Sequence, residues 1–149
     1  MRVMKKIIWI LIAISAMMSG CEKQSLNKIY GNHTLINYSV DGFDSIDLFR
    51  DSLGTTFRFY YDEVSNENIC SISGIRNDGD GTLVTWNWKL NYSNKILSQI
   101  FSAGFSIGIG PFGVGKNNIE WKIINLTKKE IKMSTNYNDK EYMVILNKI

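Results

Sequence analysis

The residues whose types and spacing come nearest to known chemistry lie between positions 104 and 117. Gly108-Ile109-Gly110-Pro111-Phe112-Gly113 has the glycine spacing of a dinucleotide-binding turn, and Gly110 to Lys116 has that of a phosphate-binding loop up to its last position. Both motifs act through a following helix, whose free backbone N–H groups bind phosphate. Here Asn117 stands where a magnesium-holding hydroxyl is needed, and Asn118-Ile119-Glu120-Trp121-Lys122-Ile123 alternates as a strand does. Nucleotide binding is therefore not expected. The apolar residues Phe105, Ile107 and Phe112 suggest instead a flap beside a ligand pocket, because loops carry much of a scaffold's function.

The remaining candidates are weaker. Asp41, Asp44, Asp47 and Asp51 recur every three or four residues, not at the alternate positions of a calcium loop, and no late glutamate closes the set. Asn77-Asp78-Gly79-Asp80-Gly81 lies between two strand patterns and reads as a hairpin turn. His33 is the only histidine. Zinc would need Cys or carboxylate partners at recognisable spacing. A Ser-His-Asp constellation forms in space and is left open by the sequence, but one histidine in a strand reads as structural. No catalytic residue, metal or cofactor is expected.

At the N-terminus, Arg2, Lys5 and Lys6 precede a wholly apolar run over residues 7–13, then apolar and small residues to Met18, then Ser19-Gly20-Cys21. A charged start, a short apolar core and small residues at its end make a secretory leader. The apolar stretch is too short for a spanning helix, which takes about 20 residues. Met18-Ser19-Gly20-Cys21 resembles the lipobox of bacterial lipoproteins, with Met18 where Leu is commonest. The resemblance implies cleavage before Cys21, a diacylglyceryl Cys21 carrying a further acyl chain such as palmitate, and a lipid anchor in the cell envelope, most of all the outer membrane.

That cut would remove Arg2, Lys5 and Lys6, which carry the whole net charge of +3. The segment after it is formally neutral, so no nucleic-acid partner is expected, since that footprint requires clustered basic residues on the folded domain. Lys128, Lys129 and Lys132, interrupted by Glu130, read as a solvated hairpin rim. Cys70 is then left without an intramolecular partner, and its apolar surroundings mark it as a buried small side chain; a Cys21–Cys70 bridge is the alternative in an unlipidated form.

The elements that would position any site are strands. Period-two alternation recurs at 35–40, 56–61, 69–75, 82–90, 96–101, 119–124, 130–137 and 141–149. In 82–90, Val84, Trp86, Trp88 and Leu90 share one face; Phe57, Phe59 and Tyr61 do so in 56–61. Short turns between about eight strands predict antiparallel neighbours and an up-and-down barrel, with a two-sheet β-sandwich as the alternative. The expected organisation is a leader over 1–20, a lipidated Cys and polar tether over 21–29, and a barrel over 30–149.

Ile29-Tyr30-Gly31-Asn32-His33-Thr34-Leu35, Val40-Asp41-Gly42 and the closing stretch 121–131 resemble the lipocalin-like (calycin) lipoproteins of the Bacteroidota type. His33 stands where that family's opening Gly-x-Trp-x-Leu strand has Trp. The resemblance implies an eight-stranded barrel that binds a small apolar or amphipathic molecule. Trp86, Trp88 and Trp121 would line the pocket beneath the flap. The alternative function is an interaction module that binds an envelope protein or polysaccharide through loops and exposed aromatics such as Tyr60, Tyr92 and Tyr137. Asp44-Ser45-Ile46 and Asp51-Ser52-Leu53 are similar to the acceptor of Bacteroidota protein O-glycosylation, which implies glycans on Ser45 and Ser52 in a long loop.

Overall fold

Alternation of buried and exposed side chains marks most strands of the barrel. The computed structural model describes residues 24–75, 79–91, 93, 95–100, 110–112 and 118–149. It contains β1 (Gly31–Val40), a two-residue β2 (Phe43–Asp44), β3 (Thr56–Asp62), β4 (Glu67–Ile75), β5 (Gly81–Asn91), β6 (Ile96–Ile100), β7 (Ile119–Leu126), β8 (Glu130–Tyr137) and β9 (Lys140–Lys148). All eight expected strands are present. Each pairs antiparallel with the next, and β1 pairs with β9 from His33↔Lys148 to Val40↔Tyr142, so the sheet closes on itself. β2 only extends the edge of β1 beyond β3. The fold is thus a closed eight-stranded up-and-down barrel. Closure leaves no second sheet, and the sandwich alternative fails.

Closure needs curvature, and two register shifts help to supply it, at Leu35/Asn37 in β1 and Ile123/Asn125 in β7. The hairpin between β8 and β9 turns on Asn138 and Asp139, both with positive φ (50° and 60°), the backbone twist that suits a two-residue connection.

Two helices lie at opposite ends. Residues 24–29 form α1, and α2 spans Ile46–Leu53. The part of the expected tether over 24–29 is therefore helical, with Ser25 and Ile29 buried. Lys148 Nζ holds the segment down by donating to the carbonyls of Tyr30 (2.5 Å) and Asn27 (3.3 Å). α2 occupies the long connection over 44–53, expected to hold one helical turn or a wandering loop. Ser45 precedes its first turn and Ser52 lies in its last, so the second glycosylation candidate is helical, not in a loop. Asp41, Asp44 and Asp47 serve this region locally: they accept from Glu141 N and Ile46 N and pair with Arg50.

The barrel interior is the core. Trp86, Trp88 and Trp121, with Phe57, Phe59, Cys70 and Ile72, all point inward and are buried, as the alternation requires. Tyr61 shares their parity but stands at the rim, 47% exposed, its hydroxyl donating to Asn66 Oδ1. Burial also pushes the Cys70 thiol well above its ordinary range.

Candidate functional site

The interior divides into two aromatic clusters, one under each helix. At the α1 end, Trp88 meets Tyr30 (5.8 Å between ring centres, edge-on) and Phe59 (5.8 Å, edge-on), and Phe59 meets the His33 ring edge-on at 5.6 Å. His33 is fully buried, and its Nε2–H donates to the Ile29 carbonyl (2.8 Å), tying β1 to α1. His33 thus takes a floor position in which its second nitrogen, Nδ1, has no partner among the described residues. This histidine is a structural staple.

Burial, with a smaller contribution from the Lys148 charge, holds the His33 pKa below its ordinary value of 6.5. A group that releases its proton more readily when folded makes the folded state lose stability as the solution acidifies. The stability it contributes is complete above about pH 6.5 and is lost as pH falls below that value towards the folded pKa. The expected result is a melting temperature that declines across this window more steeply in the native chain than in His33→Gln. Parallel curves for the two would show that His33 does not titrate on unfolding.

At the α2 end, Tyr38 (β1), Phe57 (β3), Trp86 (β5), Trp121 (β7) and Tyr142 (β9) enclose a chamber. Phe49 enters it from α2 and Phe112 from a single 3-10 turn, Gly110–Phe112, on the β6–β7 connection. Phe112 sits at the centre. It stacks on Trp121 (4.9 Å, 27°) and meets Phe49 at 5.2 Å, Trp86 at 5.6 Å and Phe57 at 5.9 Å. Ring pairs at such separations contribute about 0.5–1.5 kcal/mol each beyond burial. A polar tether fixes the turn: Trp121 Nε1 donates to Gln99 Oε1 (2.8 Å), and the fully buried Gln99 donates through Nε2 to the Pro111 carbonyl (3.3 Å). Gly110 (φ 54°) passes so close to the wall that a Cβ there would stand 2.7 Å from the Tyr142 ring and 3.1 Å from the Tyr38 oxygen.

One polar atom in this chamber is unpaired. The Tyr38 hydroxyl is buried without a hydrogen-bond partner among the described residues. Burial, and then the neighbouring Tyr142 phenol, push its pKa far up, so it stays a neutral donor. A buried unpaired polar group costs about 1–3 kcal/mol. Around the Phe112 ring the chamber thus presents apolar walls and one hydrogen-bond donor.

Of the candidates expected to act together, Phe112, Trp86 and Trp121 meet here, whereas Trp88 belongs to the α1 cluster. Phe105 and Ile107 lie outside the described residues, as does Tyr92. Tyr60 and Tyr137 are half-buried; Tyr137 packs edge-on against Tyr142. Gly104-Phe105-Ser106-Ile107-Gly108 has the spacing of a nucleophile elbow. It also lies outside the described residues. Among the described residues no three His, Cys, Asp or Glu side chains gather as a metal site. Tyr38, Phe49 and Gln99 were missed by sequence reasoning; Tyr38 is out of phase with His33 and Leu35, and only the register shift at Leu35/Asn37 turns it inward.

The chain matches no protein-family model and no curated protein. It is similar in structure to a lipocalin-like protein from Bacteroides uniformis (TM-score 0.55, 18% identity), over 82% of this chain and 99% of that one. It is also similar to bovine odorant binding protein, solved in complex with undecanal (TM-score 0.52, 12% identity, 83% of this chain and 73% of that one). The same protein was solved with a selenium-containing odorant (TM-score 0.52, 12% identity, 83% and 72%). With the closed topology and the interior already described, the chain has the fold of a lipocalin-like β-barrel.

Proposed function

We propose that this chain is a lipid-anchored envelope protein, held to the outer membrane through Cys21, whose barrel takes up a small apolar ligand with one hydrogen-bond acceptor. The ligand takes the seat that the Phe112 ring fills. The observation that carries this reading is the origin of that ring: Phe112 comes from a connection and not from a barrel strand, yet it occupies the centre of the chamber beside an unpaired Tyr38 hydroxyl. Undecanal, an apolar molecule with one carbonyl oxygen, is the ligand of the bovine barrel and supports the class. The Bacteroides uniformis protein supports a bacterial setting, and the Met18-Ser19-Gly20-Cys21 motif supports the anchor. Glycans on Ser45 and Ser52 belong to the same proposal. No catalytic step is part of it.

A second reading has its own observation. Phe43, Leu48, Ile75 and Leu83 are all more than half exposed on elements of the α2 end, an apolar rim suited to a protein partner.

Titration of undecanal and of undecane, followed through tryptophan fluorescence, tests the first reading. Saturable binding of undecanal is expected. Tyr38→Phe should weaken undecanal by about three- to tenfold, the worth of one hydrogen bond, and leave undecane unchanged. Absence of saturable binding by either molecule overturns the proposal.

A further inference from the structure

The barrel brings lysines from separate segments to its α1 end. Lys28 on α1 and Lys95 before β6 line one groove of about 260 Å³, whose apolar wall is Leu90, Ile124 and Leu126. The register shift in β7 leaves Ile124 half exposed beside it. Lys122, opposite Ile96 on the outer face, and Lys128 and Lys129, in the turn after β7, stand at the same end. The opposite end is acidic: Asp41, Asp44 and Asp47 lie around α2, and Asp139 and Glu141 follow at the β8–β9 turn. The α1 end also carries Asp62, Glu63 and Glu67 at the β3–β4 turn and Glu130 at the start of β8, so its lysines form a patch around α1 and the β5–β6 and β7–β8 turns.

Where the chain leaves this end decides what faces it. Residue 24, the first described, belongs to α1, and Cys21 precedes it by three residues. Three extended residues span about 10 Å at most. The apolar leader, or the lipid that replaces it, therefore enters the bilayer on the α1 side, at a separation comparable with the Debye length of about 8 Å at physiological ionic strength.

The geometry points to a docking surface for anionic membrane lipid, in which a headgroup phosphate sits between Lys28 and Lys95 and its glycerol and upper acyl carbons lie against Leu90, Ile124 and Leu126. The choice of occupant rests on the reading of Cys21 as the anchor. The barrel then stands with α1 on the membrane and the aromatic chamber facing away from it. The acidic end is repelled by the same surface, which fixes the orientation as well as the attachment.

Residues 22–149 contain every barrel strand and all of the described core, so this segment can be tested without leader or lipid. It is expected to co-sediment with vesicles of phosphatidylcholine and phosphatidylglycerol, not with pure phosphatidylcholine, and to be released at high salt. Each lysine near an anionic surface contributes about fivefold to partitioning. Lys28→Gln with Lys95→Gln should therefore weaken binding about 25-fold, and Lys140→Gln at the acidic end should not weaken it. The inference is overturned by equal binding to both vesicle types, by no binding, by an equal effect of Lys140→Gln, or by full displacement with free glycerophosphate at matched headgroup concentration. The mass of the native chain reports lipidation at Cys21 separately, so failure of the anchor and failure of the surface are told apart.

Discussion

Replacing Gly74 by alanine is expected to destabilise the folded chain by about 3 kcal/mol, and replacing Gly54 by alanine to destabilise it further. The two glycines are where α2 meets the barrel wall. A Cβ on Gly74 would stand 2.3 Å from Gly54 Cα, and a Cβ on Gly54 would stand 2.3 Å from Gly74 Cα and 2.6 Å from the Ser73 carbonyl oxygen. These are backbone atoms on both sides, so no side chain can swing away. Gly54 adds a conformational demand: as the cap of α2 it holds φ 84° and ψ −174°, a region open to glycine alone, with its N–H donating to the Arg50 carbonyl (3.1 Å). Relief of either clash requires α2 to lift from β4. That breaks the bond from Thr82 Oγ1 to the Leu53 carbonyl (2.8 Å) and withdraws Phe49 and Leu53 from the interior. Urea unfolding of the two variants measures the loss. A Gly74→Ala midpoint within error of the native chain would show that α2 is not seated as described.

The strands were legible because a barrel wall with one buried face imposes period two on the sequence, and nothing else in the chain competes with it. Trp86, Trp88 and Trp121 could be assigned inward for that reason alone. What alternation cannot report is which end of the barrel a ring belongs to, so Trp88 was grouped with two residues of the other cluster. Phe112 was noticed only as an apolar residue among glycines; its seat depends on Gln99, a buried amide thirteen residues earlier whose role is invisible until β6 and β7 are paired. The helical segment 24–29 was missed because so short and polar a stretch has little intrinsic stability, and His33 and Lys148 hold it through tertiary bonds. The lysine end escaped for a related reason. Lys28, Lys95, Lys122 and Lys128–Lys129 are scattered along the chain, and only the up-and-down topology gathers them.

Phe112→Ala is expected to lower stability by about 3–5 kcal/mol, the usual loss for a buried phenylalanine, and, unlike the glycine variants, to be rescued by ligand. The truncation leaves a void lined by Trp121, Phe49, Trp86 and Phe57 with the Tyr38 hydroxyl near it. Apolar voids of this kind stay dry and accept apolar guests. A guest present at 100 times its dissociation constant restores about 2.7 kcal/mol, so undecanal should raise the melting temperature of Phe112→Ala more than that of the native chain, where the ring still competes for the seat. Phe59→Ala provides the contrast. It removes an equally buried ring of the same size, packed on Trp88 and His33 at the other end of the barrel, and should lose comparable stability. Since that void adjoins the α1 floor and not the chamber beneath Phe112, undecanal should not rescue it. Equal rescue of both variants would mean that any void in this interior accepts the molecule. Rescue of neither would make Phe112 an ordinary core residue and the chamber a packing solution. Selective rescue of Phe112→Ala, together with binding by the native chain, requires that the Phe112 ring and the ligand exchange for one site.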